Sequence, residues 1–237
     1  MAQISMLTRR TFLSNGLIAG LSARLARSAA FALAVPQAGE TSQADITGSG
    51  SLKAHAAAHG LLVGAAVNAK LLATDQTYSR VLAEQYNILV AENAMKWVVL
   101  RPAPDKYSFE EADSIVAFAE RHNMKMRGHN FVWHQQLPDW FSTTVTKKNA
   151  KQFLEDHIRT VGGHYKGKIH SWDVVNEAVL PEDGRPDGLR KSPWMELLGP
   201  DYIDIAFRAA RQADPHALLT YNEYGVEYDN ETDAKRR

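Results

Sequence analysis

The chain has 237 residues, 27 Lys and Arg against 27 Asp and Glu, and no cysteine. That length can bury a sizeable core as one domain. Zero formal charge gives no footprint for nucleic acid or an acidic membrane surface, and the missing cysteines exclude a disulfide framework and thiolate chemistry.

In chain order, residues 1–40 read as an export signal and leader, residues 41–50 as a polar linker, and residues 51–237 as a catalytic region. Thr8-Arg9-Arg10-Thr11-Phe12-Leu13 resembles a twin-arginine export signal, and the mildly apolar stretch 16–21 follows it. Arg24 and Arg27 interrupt the apolar region, which leaves a basic tail as the other reading. Ala32-Leu33-Ala34 offers small residues for cleavage. No stretch approaches the ~20 apolar residues that span a bilayer, so the mature protein is expected to be free of membrane and periplasmic or secreted.

From Ser51 onward strand-like runs alternate with amphipathic helices, which predicts α/β units around a parallel sheet. Strands are expected over 61–67, 87–91, 125–131, 169–175 and 217–221. Ser108-Phe109-Glu110-Glu111 reads as a capping box opening a helix that turns Ala112, Ile115, Val116 and Ala119 inward. The next helix is expected to start at Thr146, to bury Phe153, Leu154, Ile158 and Val161, and to end at Gly162-Gly163. Asp201 opens a third, with Ile205, Ala206, Ala209 and Ala210 facing the sheet and Asp214-Pro215 stopping it. Five strand–helix units fit this pattern, where a closed barrel of the type needs eight.

Three runs carry the chemistry. Trp172-Asp173-Val174-Val175-Asn176-Glu177-Ala178 is an apolar strand ending in an amide and a carboxylate. At the carboxyl end of a barrel strand such side chains face the active site, and an indole over the glutamate favours its neutral acid form. A general acid for a glycosidic oxygen needs that form near neutral pH. The second run is Asn87-Ile88-Leu89-Val90-Ala91-Glu92-Asn93-Ala94-Met95-Lys96-Trp97. The third is Arg127-Gly128-His129-Asn130-Phe131-Val132-Trp133-His134-Gln135-Gln136-Leu137-Pro138. Each sets hydrogen-bonding groups and a tryptophan just past a strand, the mixture that sugar hydroxyls and apolar sugar faces require.

These three runs, in this order, resemble the xylanases of glycoside hydrolase family 10 from about Ser51 to the region of Tyr228. The resemblance implies a (β/α)8 TIM barrel of which about the first five β/α units are present, so that the sequence looks truncated at its C-terminus. It implies hydrolysis of internal β-1,4-xylosidic bonds in xylan or xylo-oligosaccharide by a retaining double displacement, with no cofactor, no metal and no nucleic acid partner. Glu177 would be the catalytic acid/base. Asn176 would bond the sugar 2-hydroxyl, and Glu92, Asn93 and Lys96 would hold hydroxyls on the non-reducing side of the cut. His129 would contact sugar and Trp133 would stack on it.

Other readings stay open beside these. Lys96 can be a solvated ion-pair partner, and His129 and His134 can be structural or metal-binding, although the companion ligands of a zinc site are missing. His134 is expected behind the sugar-contacting residues, and Asp173 is expected to be buried and to orient a neighbour such as a histidine. Glu223, in Asn222-Glu223-Tyr224 where the family more usually has Asn-Asp-Tyr, is expected to be a structural strand-end residue. No nucleophile can be assigned, because the family supplies it from further round the barrel. The rival functions are another barrel β-glycanase, acting on cellulose or mannan, and an inactive carbohydrate-binding fragment.

Overall fold

The computed structural model describes residues 46–226; the expected export signal, the first half of the polar linker and the C-terminal residues past Val226 lie outside the described residues. Five strands form one sheet: β1 Gly64–Val67, β2 Ile88–Ala91, β3 Lys125–Val132, β4 Ser171–Asn176 and β5 Leu218–Asn222. They lie side by side in sequence order and every neighbouring pair is parallel. Parallel neighbours need crossovers, and helices supply them. Before β1 comes α1 Leu52–Ala58, and between β1 and β2 lie α2 Ala69–Thr74 and α3 Gln76–Gln85. Then α4 Trp97–Leu100 and α5 Glu110–Arg121 lead to β3, and α6 Trp140–Thr144 and α7 Ala150–His164 lead to β4. Finally α8 Pro193–Leu198 and α9 Tyr202–Ala213 lead to β5. All described residues fall in one compact unit.

The five expected strands are present with shifted ends. β1 begins three residues late, and the Asn87 side chain takes up the backbone of the segment before it. Its Oδ1 accepts from Val63 N at 2.8 Å and its Nδ2 donates to Leu61 O at 3.2 Å. β4 and β5 each run one residue further than expected, to Asn176 and Asn222.

The helix signals hold less well at their ends. No capping box forms at α5: Phe109 is the residue before the helix, and the Ser108 hydroxyl turns to the Glu110 carboxylate. Its inward set, Ala112, Ile115, Val116 and Ala119, is nevertheless buried. α7 starts at Ala150 rather than Thr146, because Asn149 Oδ1 accepts from Thr146 N at 2.7 Å and closes a separate turn. Nor do Gly162-Gly163 end α7, which continues to His164. Gly162 is a packing residue instead: a Cβ there would lie 2.8 Å from Ala213 Cβ, so its absence lets α7 approach α9. α9 opens after Asp201 and stops before Asp214 as expected, with Ala206 and Ala210 fully inward and Ile205 and Ala209 at the margin of the core.

The main core lies between sheet and helices, with Ile115, Phe131, Leu154, Ile158 and Trp172 essentially without solvent contact. All six residues of β4 are buried, as befits a central parallel strand covered on both faces. On the other face the sheet encloses a hollow of about 450 Å³ lined by Gly64, Ala66, Ile88, Val90, Arg127 and Ser171 among others. Among the described residues β1 and β5 each pair on one side only. Of the polar residues singled out by the sequence, Glu92, Asn93, Lys96 and Glu177 follow the carboxyl ends of their strands, Asn176 ends β4, and His129 and Asp173 lie within β3 and β4.

Candidate active site

Each strand contributes its next residues to one face. β2 delivers Glu92, whose backbone N donates to Val67 O at 2.9 Å and so continues the ladder past the strand. The Glu92 carboxylate accepts from Asn68 Nδ2 at 3.1 Å, and Asn68 is itself fixed because its Oδ1 caps α2 through Leu71 N. Lys96 Nζ donates to Asn93 Oδ1 at 3.0 Å and stands 5.0 Å from the centre of the Trp133 ring. Burial lowers the Lys96 pKa, against the opposing pull of Glu92 and Glu177. The ammonium thus lies within electrostatic reach of both carboxylates.

Glu177 follows β4. Its φ of 55° is left-handed, a conformation that costs a non-glycine residue on the order of 1–2 kcal/mol. The surrounding hydrogen bonds hold it there. Glu177 N donates to Asn222 O at 2.8 Å, and Arg190 Nε donates to Glu177 O at 2.7 Å. The side chain then meets the residue that follows β3: Trp133 Nε1 donates to Glu177 Oε2 at 2.8 Å. The indole is anchored in turn, since Trp194 Nε1 donates to Trp133 O at 3.1 Å.

Beneath this surface lies a network across β3, β4 and β5. Asp173, 1% exposed, accepts from Arg127 Nε at 3.0 Å and Nη2 at 2.6 Å, from Thr220 Oγ1 at 2.8 Å, and meets His129 Nδ1 at 2.8 Å. Burial pushes the Asp173 carboxyl up, but the bonds from His129 and Arg127 and the Arg127 charge outweigh it and hold the group below its usual range. A carboxylate at Nδ1 places the histidine proton there. Nε2 is then the acceptor that faces Asn130 Nδ2 at 3.3 Å. Arg127 Nη2 also donates to Asn222 Oδ1 at 2.9 Å, and Asn222 Nδ2 donates to Asn176 Oδ1 at 2.7 Å. With its oxygen engaged, the Asn176 amide presents its NH₂ as the group for a ligand.

The expected burial of Asp173 and its hold on a histidine are therefore observed. Glu223 is a strand-end residue with committed oxygens: Oε2 accepts from Val179 N at 3.2 Å and from the Tyr221 hydroxyl, and Oε1 from Tyr224 N at 3.1 Å. His134 shares a cleft with Trp133, Asn176 and Glu177 and stands edge-on to the Trp133 ring at 5.7 Å. Burial and the Arg190 charge lower its pKa. It also opens onto a groove of about 740 Å³ shared with Gln136, Asp139, Ser142 and Glu196. Among the described residues no three His, Asp or Glu side chains cluster as a metal site, and no helix is long and apolar enough to cross a membrane.

The geometry thus brings Glu177, Trp133, Lys96, Asn93 and Glu92 onto one surface, and links His129 and Asn176 through Asp173, Arg127 and Asn222. Asn68, Thr220, Asn222 and Arg190 were not singled out from sequence. Asn68 had a usable signal, a polar residue directly after an apolar run. Arg190, thirteen residues from the carbonyl it holds, had none.

The family model for glycosyl hydrolase family 10 matches residues 51–236. Endo-1,4-beta-xylanase A of Thermotoga maritima is 43% identical over 173 residues, 69% of this chain and 16% of that protein. The beta-1,4-xylanase of Dictyoglomus thermophilum is 45% identical over 150 residues, 63% of this chain and 42% of that one. Among solved structures, xylanase 10B from Thermotoga petrophila RKU-1 in complex with xylobiose superposes with a TM-score of 0.70 at 41% identity, over 78% of this chain and 56% of that one. The sheet is accordingly an arc of five β/α units of a (β/α)8 barrel, and the chain spans about half or less of the length of these relatives.

Proposed function

The chain belongs to glycosyl hydrolase family 10, and from that premise we propose that it acts in hydrolysis of internal β-1,4-xylosidic bonds by a retaining double displacement with Glu177 as acid/base. The observation that carries the reading is the Trp133 Nε1–Glu177 Oε2 bond of 2.8 Å at the carboxyl end of β4. That donor occupies one carboxyl oxygen, which leaves Oε1 to bear the proton and meet the glycosidic oxygen. Glu177 protonates the leaving group in the first step and takes a proton from water in the second. The NH₂ of Asn176 serves the 2-hydroxyl, whose hydrogen bond strengthens as the oxocarbenium-like transition state forms. Glu92, Asn93 and Lys96 hold hydroxyls on the non-reducing side, His129 contacts sugar, and Trp133 offers a stacking face. The substrate we propose is xylan or xylo-oligosaccharide.

The nucleophile is proposed to lie outside the described residues. Asp173 is engaged by donors from the strands on either side of it and Glu223 by Val179 N and the Tyr221 hydroxyl, and Glu92 belongs to the sugar-holding surface. Export through the twin-arginine-like segment at Thr8–Leu13 belongs to the same proposal on sequence grounds, and cell fractionation with Arg9 and Arg10 replaced by Lys tests it.

The deciding experiment is Glu177→Gln in the intact protein. Turnover of xylan should fall by about 10²–10⁴-fold, the usual contribution of a general acid, and much less on aryl xylobiosides whose leaving groups depart unprotonated. Equal loss on both refutes the assignment. Release of reducing ends from xylan, cellulose and mannan separates a xylanase from another β-glycanase, and binding without release marks a carbohydrate-binding fragment.

A further inference from the structure

We propose that Tyr221 and Glu223, at the end of β5, are positioning residues for Glu177 that act through the backbone of residues 177–179. The inference rests on the acid/base reading of Glu177. Three successive backbone N–H groups end on β5: Glu177 N on Asn222 O at 2.8 Å, Ala178 N on the Tyr221 hydroxyl oxygen at 3.0 Å, and Val179 N on Glu223 Oε2 at 3.2 Å. On the opposite side Arg190 takes both carbonyls, Glu177 O through its Nε and Ala178 O through its backbone N, each at 2.7 Å. Every polar backbone group of Glu177 and Ala178 is therefore spoken for.

Such over-determination is what a left-handed glutamate requires to persist. The two β5 side chains act as one unit. Burial and the adjacent Glu223 push the Tyr221 pKa up, so the phenol keeps its proton, donates to Glu223 Oε2, and turns an oxygen lone pair to Ala178 N. Loss of the Tyr221 hydroxyl frees the Ala178 amide, loss of Glu223 frees that of Val179, and either lets the turn relax. The Glu177 carboxyl then swings away from Trp133 Nε1 and from the oxygen it protonates.

The intact protein carrying Glu223→Ala, Tyr221→Phe or Glu223→Gln is assayed on xylotetraose and on a dinitrophenyl xylobioside. A displacement of some tenths of an ångström should cost about tenfold in kcat/KM where protonation of the leaving group is needed, since a full ångström costs about 10²-fold. Glu223→Ala and Tyr221→Phe should therefore lose about tenfold on xylotetraose and little on the activated substrate. Glu223→Gln, whose amide oxygen still accepts from Val179 N and the Tyr221 hydroxyl and gives up only the bond from Tyr224 N, should recover most of the loss. Equal losses on both substrates would mean a merely structural role and overturn the proposal, as would unchanged kinetics in Tyr221→Phe. Glu177→Gln measured alongside separates the two readings. Leaving-group selectivity there without selectivity in Glu223→Ala overturns the positioning role alone, and its absence in Glu177→Gln overturns both.

Discussion

Gly128→Ala should damage both stability and activity, and the structure sets the scale. Gly128 on β3 stands in register with Trp172 on β4, and the indole lies across the glycine. A Cβ on residue 128 would fall 2.1 Å from Trp172 Cε3, 2.2 Å from Cζ3 and 2.6 Å from Cδ2. Carbon atoms in contact prefer about 3.5–4.0 Å, so the ring or the strand must give by more than about 1 Å. Neither is free to do so. Trp172 is wholly buried and stacked on Phe131 with ring centroids 4.0 Å apart. Overpacking a tight core costs about 1–3 kcal/mol, and a clash with an immobile ring belongs at the upper end. For a domain of this size about 3 kcal/mol lowers Tm by roughly 6–12 °C. Activity should fall with it, because Arg127 and His129 flank Gly128 and Asp173 follows Trp172. The assay is thermal unfolding of the intact protein beside Gly163→Ala, an exposed α7 position whose Cβ meets nothing within 4 Å. That control should gain about 0.5–1 kcal/mol. A Gly128→Ala protein melting within about 2 °C of the parent would refute the packing argument, on the same conversion.

Trp133→Phe keeps a ring and removes the N–H that meets Glu177, so kcat/KM on xylan should drop by up to about tenfold, the worth of one hydrogen bond. Unchanged kinetics would make that contact incidental. Lys96→Met should raise KM for xylo-oligosaccharides about tenfold through the lost bonds to hydroxyls, and an unaltered KM would displace the proposed groove. His157 has no exposed surface, stacks on Trp97 at 3.7 Å, and finds no hydrogen-bond partner for either ring nitrogen among the described residues. Burial, then the nearby Arg101 charge, holds its pKa well below 6.5. The unfolded chain binds the proton first, so this depressed group contributes stability above pH 6.5 that is lost as pH falls below it. The slope approaches about 1.4 kcal/mol per pH unit, and denaturant melts at pH 7 and 5.5 should show His157→Phe losing less than the parent.

What the sequence decided by itself was periodicity and termination. Short strand-like runs such as 87–91 and 171–176, alternating with helices, read as parallel strands, and the polar residues that end them must lie on one edge of the sheet. That placed Glu92, Lys96, Trp133, Asn176 and Glu177 together before any coordinates. Helix ends were read poorly at Thr146 and Gly162, because local signals there compete with packing: Asn149 closes its own turn, and Gly162 answers to Ala213 on another helix. The three-dimensional fold alone decided the connections between strands. Asp173 bonding Arg127, His129 and Thr220, Asn222 turning the amide of Asn176, and Arg190 gripping the Glu177 carbonyl each join residues 13 to 47 positions apart. A hydrogen bond needs two atoms within about 3 Å at a defined angle, and spacing along the chain carries no information at that resolution until the strands are laid in register.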